Sequence, residues 1–189
     1  MFSIFGFYKF KNLSSLKKNK QDLYLFMVKN NARGTVILAK EGINGTIAGK
    51  TIDINLVKKK ILELLKVKNF DNTNNSYSKF QPFYKPKVKI KNEVVPIGLT
   101  LNEKKIKKNK YIDPKKWNAL IQKKKTLLID ARKPFEHKVG TFKGAFNPDV
   151  KNFRDFPKYL NKISKNQPVA MFCTGGIRCE KASIYLKNN

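Results

Sequence analysis

Cys173 has the neighbours that most clearly point to chemistry in this 189-residue chain. Thr174, Gly175, Gly176, Ile177 and Arg178 come directly after it. Paired glycines allow a tight loop whose N–H groups converge on one point, and a helix start just beyond adds its dipole. Such a nest stabilises an anion. Together with the Arg178 guanidinium it lowers a thiol pKa and suits a thiolate or a persulfide. The plainer alternative is a buried structural cysteine beside a glycine turn.

Positioning that loop takes a strand before it and a helix after it. PVAMFC (Pro168–Cys173) is an apolar strand ending at the cysteine, and a helix is expected from about Cys179 to Lys187. TLLID (Thr126–Asp130) is a second apolar strand, ending in an acid. Pro114 marks a helix start, and WNALI (Trp117–Ile121) gives that helix a core face. Apolar strands with functional residues at their C-terminal ends imply an α/β domain with a parallel sheet, and in open parallel sheets the site lies at those ends.

The first half reads differently. Ile4–Phe10 is an aromatic strand, Asn12–Val28 carries an imperfect helical stripe, and TVILA (Thr35–Ala39) is a short buried strand. EGING (Glu41–Gly45) reads as a turn, and TIAG (Thr46–Gly49) as a strand. Thr51 is placed to cap a helix running to about Lys66. Asn69–Ser78 is polar and reads as a loop, and Lys87–Val95 alternates lysine with Val and Ile as a half-buried strand. The order is β-α-β-β-α-β, the ferredoxin-like split motif. The expected organisation is a ferredoxin-like or acylphosphatase-like domain over 1–97, a basic linker over 98–112, and an α/β domain over 113–189.

Composition narrows the function classes. No apolar run approaches the roughly 20 residues of a membrane span. MFSIFGFYKF lacks the basic region that opens a signal peptide. One histidine and two cysteines cannot close a structural zinc site with the usual ligands, so no metal is expected. The expected location is cytoplasmic. The net charge is +28, and only four of the 41 basic residues are arginines (Arg33, Arg132, Arg154 and Arg178). A genome-wide bias towards lysine and asparagine is the first reading of that excess. A polyanionic partner is the second, and the two are compatible.

DARKPFEHKVGTFKGA (Asp130–Ala145) resembles the rhodanese signature, with Asp130, Arg132, Glu136, Gly140, Gly144 and Ala145 in step and Thr141 where rhodaneses usually carry histidine. CTGGIR resembles the rhodanese active-site loop. Four residues separate Cys173 from Arg178, the short loop of sulfurtransferases rather than the longer one of cysteine phosphatases. With NFRDFP (Asn152–Pro157), VAMFCTGGIRCEKAS (Val169–Ser183), LAKEGINGTIAG (Leu38–Gly49), FYKF (Phe7–Phe10) and KVKIKNEVVPIG (Lys87–Gly98), nearly the whole chain resembles the rhodanese-like tRNA uridine(34) hydroxylases.

The resemblance implies oxygen-dependent conversion of the wobble uridine of tRNA to 5-hydroxyuridine, with molecular oxygen as co-substrate and no recognised cofactor. It implies Cys173 as the essential cysteine; the chemistry expected of its thiolate is attack on C6 of the uracil ring, so that C5 becomes an enolate able to meet oxygen. Arg178 then closes the loop formed by Thr174, Gly175, Gly176 and Ile177, and Asp130 and Arg132 support it. Cys179 reads first as a small buried residue at the helix start and second as a resolving thiol. Glu180 and Lys181 match the family without an assignable role, and His137 reads as packing.

For the anticodon loop of tRNA the candidates are Lys40, Glu41 and Asn44 of the EGING segment and Lys85, Lys87, Lys89 and Lys91 beside the last strand. Phe83 and Tyr84 read as core, with base stacking as the alternative. Rhodanese-like domains normally continue with a further strand, a Gly-Gly turn and a helix. The expectation is therefore an incomplete α/β domain whose missing C-terminal segment is absent or supplied by a partner. Two other functions stay open: a sulfurtransferase carrying a persulfide on Cys173, and an inactive RNA-binding remnant.

Overall fold

Burial alternates from Phe2 to Phe7, as a strand covered mainly on one face requires, and the nine-residue segment Phe2–Phe10 is β1. The computed structural model describes residues 1–99 and 111–188. The first compact unit spans Met1–Val94; its order is β1, α1 (Leu16–Lys29), β2 (Arg33–Ala39), β3 (Gly42–Gly49), α2 (Thr51–Leu65), β4 (Asn72–Ser78) and β5 (Pro86–Ile90). The five strands form one sheet in the order β4-β1-β3-β2-β5, with β5 parallel to β2 and the other pairs antiparallel.

Leu23 and Met27 of α1 and Ile54, Val57, Ile61 and Leu65 of α2 recur at helical spacing and are buried against Phe5, Phe7, Val36, Leu38 and Ile47 of the sheet. Tyr8 and Phe10 are buried on the opposite face, with ring centroids 5.8 Å apart. The ferredoxin-like β-α-β-β-α-β order holds, but its last strand lies elsewhere than the pattern indicates. Asn72–Ser78, expected as a loop, is β4, paired with β1 from Phe2↔Ser78 to Tyr8↔Asn72. Its residues are nearly all exposed, so no buried face imposes an alternation on them. The lysine-alternating segment supplies a fifth strand that stops at Ile90 instead of Val95.

Two local readings also change. The EGING turn is confined to Lys40 and Glu41, since Gly42 already pairs with Phe10. Thr51 is the first helical residue of α2, while Lys50 takes the cap position without a side-chain bond.

The second unit begins at Val95, so Val95–Leu99 belongs to it rather than to the first domain or the linker; residues 100–110 of that linker lie outside the described residues. Ile97 packs with Ile129, Ala131, Phe156, Leu160 and Ala182, and this burial fixes the boundary. Its elements are α3 (Pro114–Ile121), β6 (Leu127–Asp130), α4 (Pro134–Val139), a 3-10 turn (Phe153–Asp155), α5 (Phe156–Leu160), β7 (Val169–Phe172) and α6 (Ile177–Asn188). Asp113 caps α3 by accepting from the Lys116 N–H at 3.0 Å, with Pro114 in the first turn. β6 and β7 run parallel, in register from Leu127↔Val169 to Asp130↔Phe172, and Phe146 bridges to Ile129.

Candidate active site

The register Asp130↔Phe172 ends both parallel strands at one level, so the segments after them emerge side by side. Ala131 N–H donates to the Phe172 carbonyl at 3.0 Å. One segment begins Ala131-Arg132 and the other Cys173-Thr174, which places the two halves of the rhodanese-like pattern next to each other.

The Cys173 loop turns at Gly176, whose φ of 83° lies in the left-handed region that glycine adopts freely. Ile177 then starts α6, directing the N–H groups of Arg178 and Cys179 at the Cys173 sulfur. The Cys179 thiol also donates to that sulfur, which is the largest influence on it. Burial opposes ionisation, and the Arg178 charge favours it. The balance lowers the Cys173 pKa to about 6, so the thiolate dominates at neutral pH. Cys179 moves the other way. Its bond to Cys173, its burial and the negative charge beside it push its pKa well above the usual thiol range.

Glu136 ties this loop to α4. Its Oε1 accepts from the Thr174 hydroxyl at 2.6 Å, and its Oε2 meets Arg178 Nη1 at 3.2 Å and the Lys133 N–H at 3.0 Å. Arg178 Nη2 also donates to the Thr174 hydroxyl oxygen at 3.3 Å. Burial alone would raise the carboxyl pKa. The Thr174 and Arg178 donors outweigh it and lower the pKa to about 2. Arg178 thus closes the loop through an acidic partner, and Glu136 has a structural role that its place in the motif did not specify.

Asp130 and Arg132 form a second brace. Asp130 is fully buried and accepts Arg132 Nε at 2.9 Å, Arg132 Nη2 at 2.7 Å and the Thr141 hydroxyl at 3.0 Å. Burial opposes its ionisation, but the Arg132 side chain, the Arg132 N–H and Thr141 hold its pKa below the ordinary carboxylate range. Asn147 donates to the carbonyls of Asp130 and Arg132, pinning the far end of the same segment. The Arg132 guanidinium lies 5.4 Å from the Phe172 ring centre. A cavity of about 350 Å³ opens beside the cysteine, lined by Arg132, Gly140, Thr141, Phe142, Phe172, Cys173 and Thr174. Phe142 meets Phe172 edge-on at 4.9 Å, and Trp117 packs against both rings.

Cys173, Thr174, Gly175, Gly176, Ile177, Arg178, Cys179, Asp130 and Arg132 are therefore gathered at one place. Phe142 and Phe172 were not singled out from sequence, because one lies in a loop and the other ends a strand, and neither carries a local signal of a cavity wall. His137 is half-buried in α4 and does not line the cavity. Glu180 accepts from the Tyr111 hydroxyl at 2.8 Å, and the fully buried Lys181 donates to the Val95 carbonyl at 2.9 Å. Both side chains hold the second unit together.

The candidates in the first unit divide. Glu41 is buried, and its carboxylate accepts the Val94 N–H at 2.9 Å; Asn44 donates to the Val94 carbonyl. Both hold the chain after β5; Glu41 is withdrawn from the surface, which corrects its expectation as an RNA contact, while Asn44 stays half-buried. Lys40, Lys85, Lys87, Lys89 and Lys91 are exposed. Tyr84, expected in the core, is 89% exposed, while Phe83 is half-buried. Tyr84 lies in the connection between the two outermost strands, where the sheet leaves it uncovered.

Residues 2–94 match the UPF0176 acylphosphatase-like domain, and residues 113–189 match the rhodanese-like domain. The chain is 63% identical over 187 residues to a protein of Pelagibacter ubique (strain HTCC1062) named tRNA uridine(34) hydroxylase, a match covering 99% of the chain and 62% of that protein.

The chain is similar to this relative over nearly its whole length.

It spans about 62% of the length of that curated relative. Among solved structures, full-length HypF in its phosphate- and nucleotide-bound form matches 51% of the chain and 13% of its own, at 16% identity and a TM-score of 0.37. An acylphosphatase from Coxiella burnetii matches 46% of the chain and 90% of its own, at 10% identity and a TM-score of 0.34. No helix among the described residues is long and apolar enough to cross a membrane.

Proposed function

We propose that this protein hydroxylates the wobble uridine of tRNA at C5, with molecular oxygen as co-substrate and Cys173 as the nucleophile. The observation that carries the reading is a cysteine with a pKa of about 6 in the wall of a cavity that two aromatic rings and an arginine also line. A flat pyrimidine can stack on the face of one such ring, and presenting it there requires a base flipped from a single-stranded loop. The name of the Pelagibacter relative agrees with this chemistry.

Attack of the Cys173 thiolate on C6 makes the 5,6 double bond of uracil nucleophilic at C5. The negative charge delocalises onto the C4 carbonyl oxygen, and Arg132 supplies a cation on the cavity wall. Oxygen adds at C5. After reduction of the resulting hydroperoxide, loss of the C5 proton and departure of Cys173 restore the aromatic ring as 5-hydroxyuridine. Lys85, Lys87, Lys89 and the exposed Tyr84 form a basic, aromatic strip suited to phosphates and an unstacked base. A tRNA substrate agrees with a cytoplasmic location.

The test is expression in a bacterium lacking its own wobble-uridine hydroxylases, with mass spectrometry of the digested tRNA. Wild type is expected to yield 5-hydroxyuridine or its alkoxy derivatives, and Cys173→Ala none. Equal modification by Cys173→Ala would sink the covalent scheme. A persulfide-carrying sulfurtransferase is the second reading, favoured by the same anion-stabilising loop. Cyanide-dependent thiocyanate release from thiosulfate would identify it.

A further inference from the structure

Oxygen insertion at C5 leaves one oxygen atom to be reduced to water, which takes two electrons and two protons. Two sulfurs meet beside the cavity: Cys173 is part of its lining, and Cys179 is its hydrogen-bonded neighbour. Cys173 directly follows β7, and Cys179 stands in the first turn of α6. The loop between them folds back so that the Cys179 thiol hydrogen-bonds the Cys173 sulfur. Both are free thiols, and both pack on the hydrophobic cluster of Ile129, Phe156 and Ala182. Glu136 and Arg178 clamp the loop from outside, which keeps the pair together.

Resting on the hydroxylation proposed above, we infer that Cys173 and Cys179 act as a dithiol that supplies the two electrons, with Cys179 as the second catalytic sulfur. The steps balance. Cys173 adds to C6, and oxygen adds to C5 with a proton to give a C5 hydroperoxide. The Cys179 sulfur attacks the distal peroxide oxygen, breaking the O–O bond; its proton passes to the oxygen left on C5, and Cys179 becomes a sulfenic acid. Loss of the C5 proton expels Cys173 as thiolate and completes 5-hydroxyuridine. Cys173 then attacks the sulfenic sulfur, forming the Cys173–Cys179 disulfide and releasing water. Uridine, oxygen and two thiols thus become 5-hydroxyuridine, water and one disulfide, which an external thiol reductant reopens. The resting arrangement suits this division. Cys173 is the ionised nucleophile, and Cys179 keeps the proton that the cleaved peroxide needs.

The experiment uses the full chain, reduced and then freed of reductant under nitrogen. It is mixed with an unmodified tRNA transcript bearing a wobble uridine in air-saturated buffer. The expected result is about one 5-hydroxyuridine per chain, with both thiols lost together and a Cys173–Cys179 disulfide peptide in the digest. Cys179→Ala is expected to make no product without reductant and to recover it with dithiothreitol, which also shows that the variant folds. Wild-type product with both thiols still titratable overturns the inference and leaves hydroxylation standing. So does full product from Cys179→Ala without reductant, or thiol loss equally fast without tRNA. No wild-type product even with dithiothreitol overturns hydroxylation itself, and the electron supply with it.

Discussion

At the scale of residues, the site depends on two cysteines driven apart by one hydrogen bond. The same contact lowers Cys173 to about 6 and raises Cys179. Alkylation by iodoacetamide reads this directly. The Cys173 rate is expected to follow a titration with a midpoint near pH 6, rising with pH as the thiolate forms. A midpoint near the ordinary value of about 8.5 would mean that the loop does not stabilise the anion. Arg178→Met removes a cation from the sulfur and from Glu136. The Cys173 midpoint should then move above 6, and the Glu136 carboxyl back towards its ordinary value of 4.5. The Cys173-Gly175-Gly176-Arg178 pattern was legible in sequence because nest, charge and helix start are all local. The Glu136 link to Thr174 and Arg178 was not, since its partners lie 38 and 42 positions away.

At the scale of elements, two short segments carry the strain and the bracing. Asp130 anchors everything between β6 and Asn147 through its pair with Arg132. Asp130→Asn leaves that guanidinium poorly matched in a mostly buried setting, at a cost of about 3–5 kcal/mol. Trp117, the chain's single tryptophan, packs 5.8 Å from Phe142 and 6.2 Å from Phe172, so its fluorescence during urea unfolding reports this unit. Asp130 and Glu136 both have depressed folded pKa values. Their stabilisation is present above their unfolded values near 4 and is lost as pH falls through the folded ones, about 2 for Glu136. In the first unit, Gly42 has φ of +151°, and a Cβ there would lie 2.2 Å from the Lys9 carbonyl oxygen. Gly42→Ala should cost on the order of 3 kcal/mol in urea unfolding. Gly140→Ala is the control: its φ of 167° is ordinary extended backbone, nothing lies within 4 Å, and the cost should stay under about 0.5 kcal/mol. Gly42 thus serves the close approach of β3 to β1, and Gly45 that of β3 to β2, constraints that the letters announce only as a turn.

At the scale of the whole molecule, a net charge of +28 makes any RNA affinity salt-dependent. Replacing Lys85, Lys87 and Lys89 together by alanine should weaken tRNA binding and reduce the slope of log affinity against log salt by about 2–3, measured by filter binding from 50 to 200 mM salt. An unchanged slope would move the RNA surface elsewhere. The sequence by itself determined the features that neighbours along the chain dictate. Apolar runs place β2, β6 and β7, helical periodicity places α1 and α2, and Cys173 with its glycines and arginine marks the active loop. The tertiary structure alone decided the features that depend on distant partners. Polar Asn72–Ser78 becomes a strand because β1 offers an unpaired edge, not because of its own pattern. Glu41 leaves the RNA candidates because Val94, about fifty positions on, takes its hydrogen bond in a buried setting. Burial and pairing belong to the fold as a whole, and no short window of residues records them.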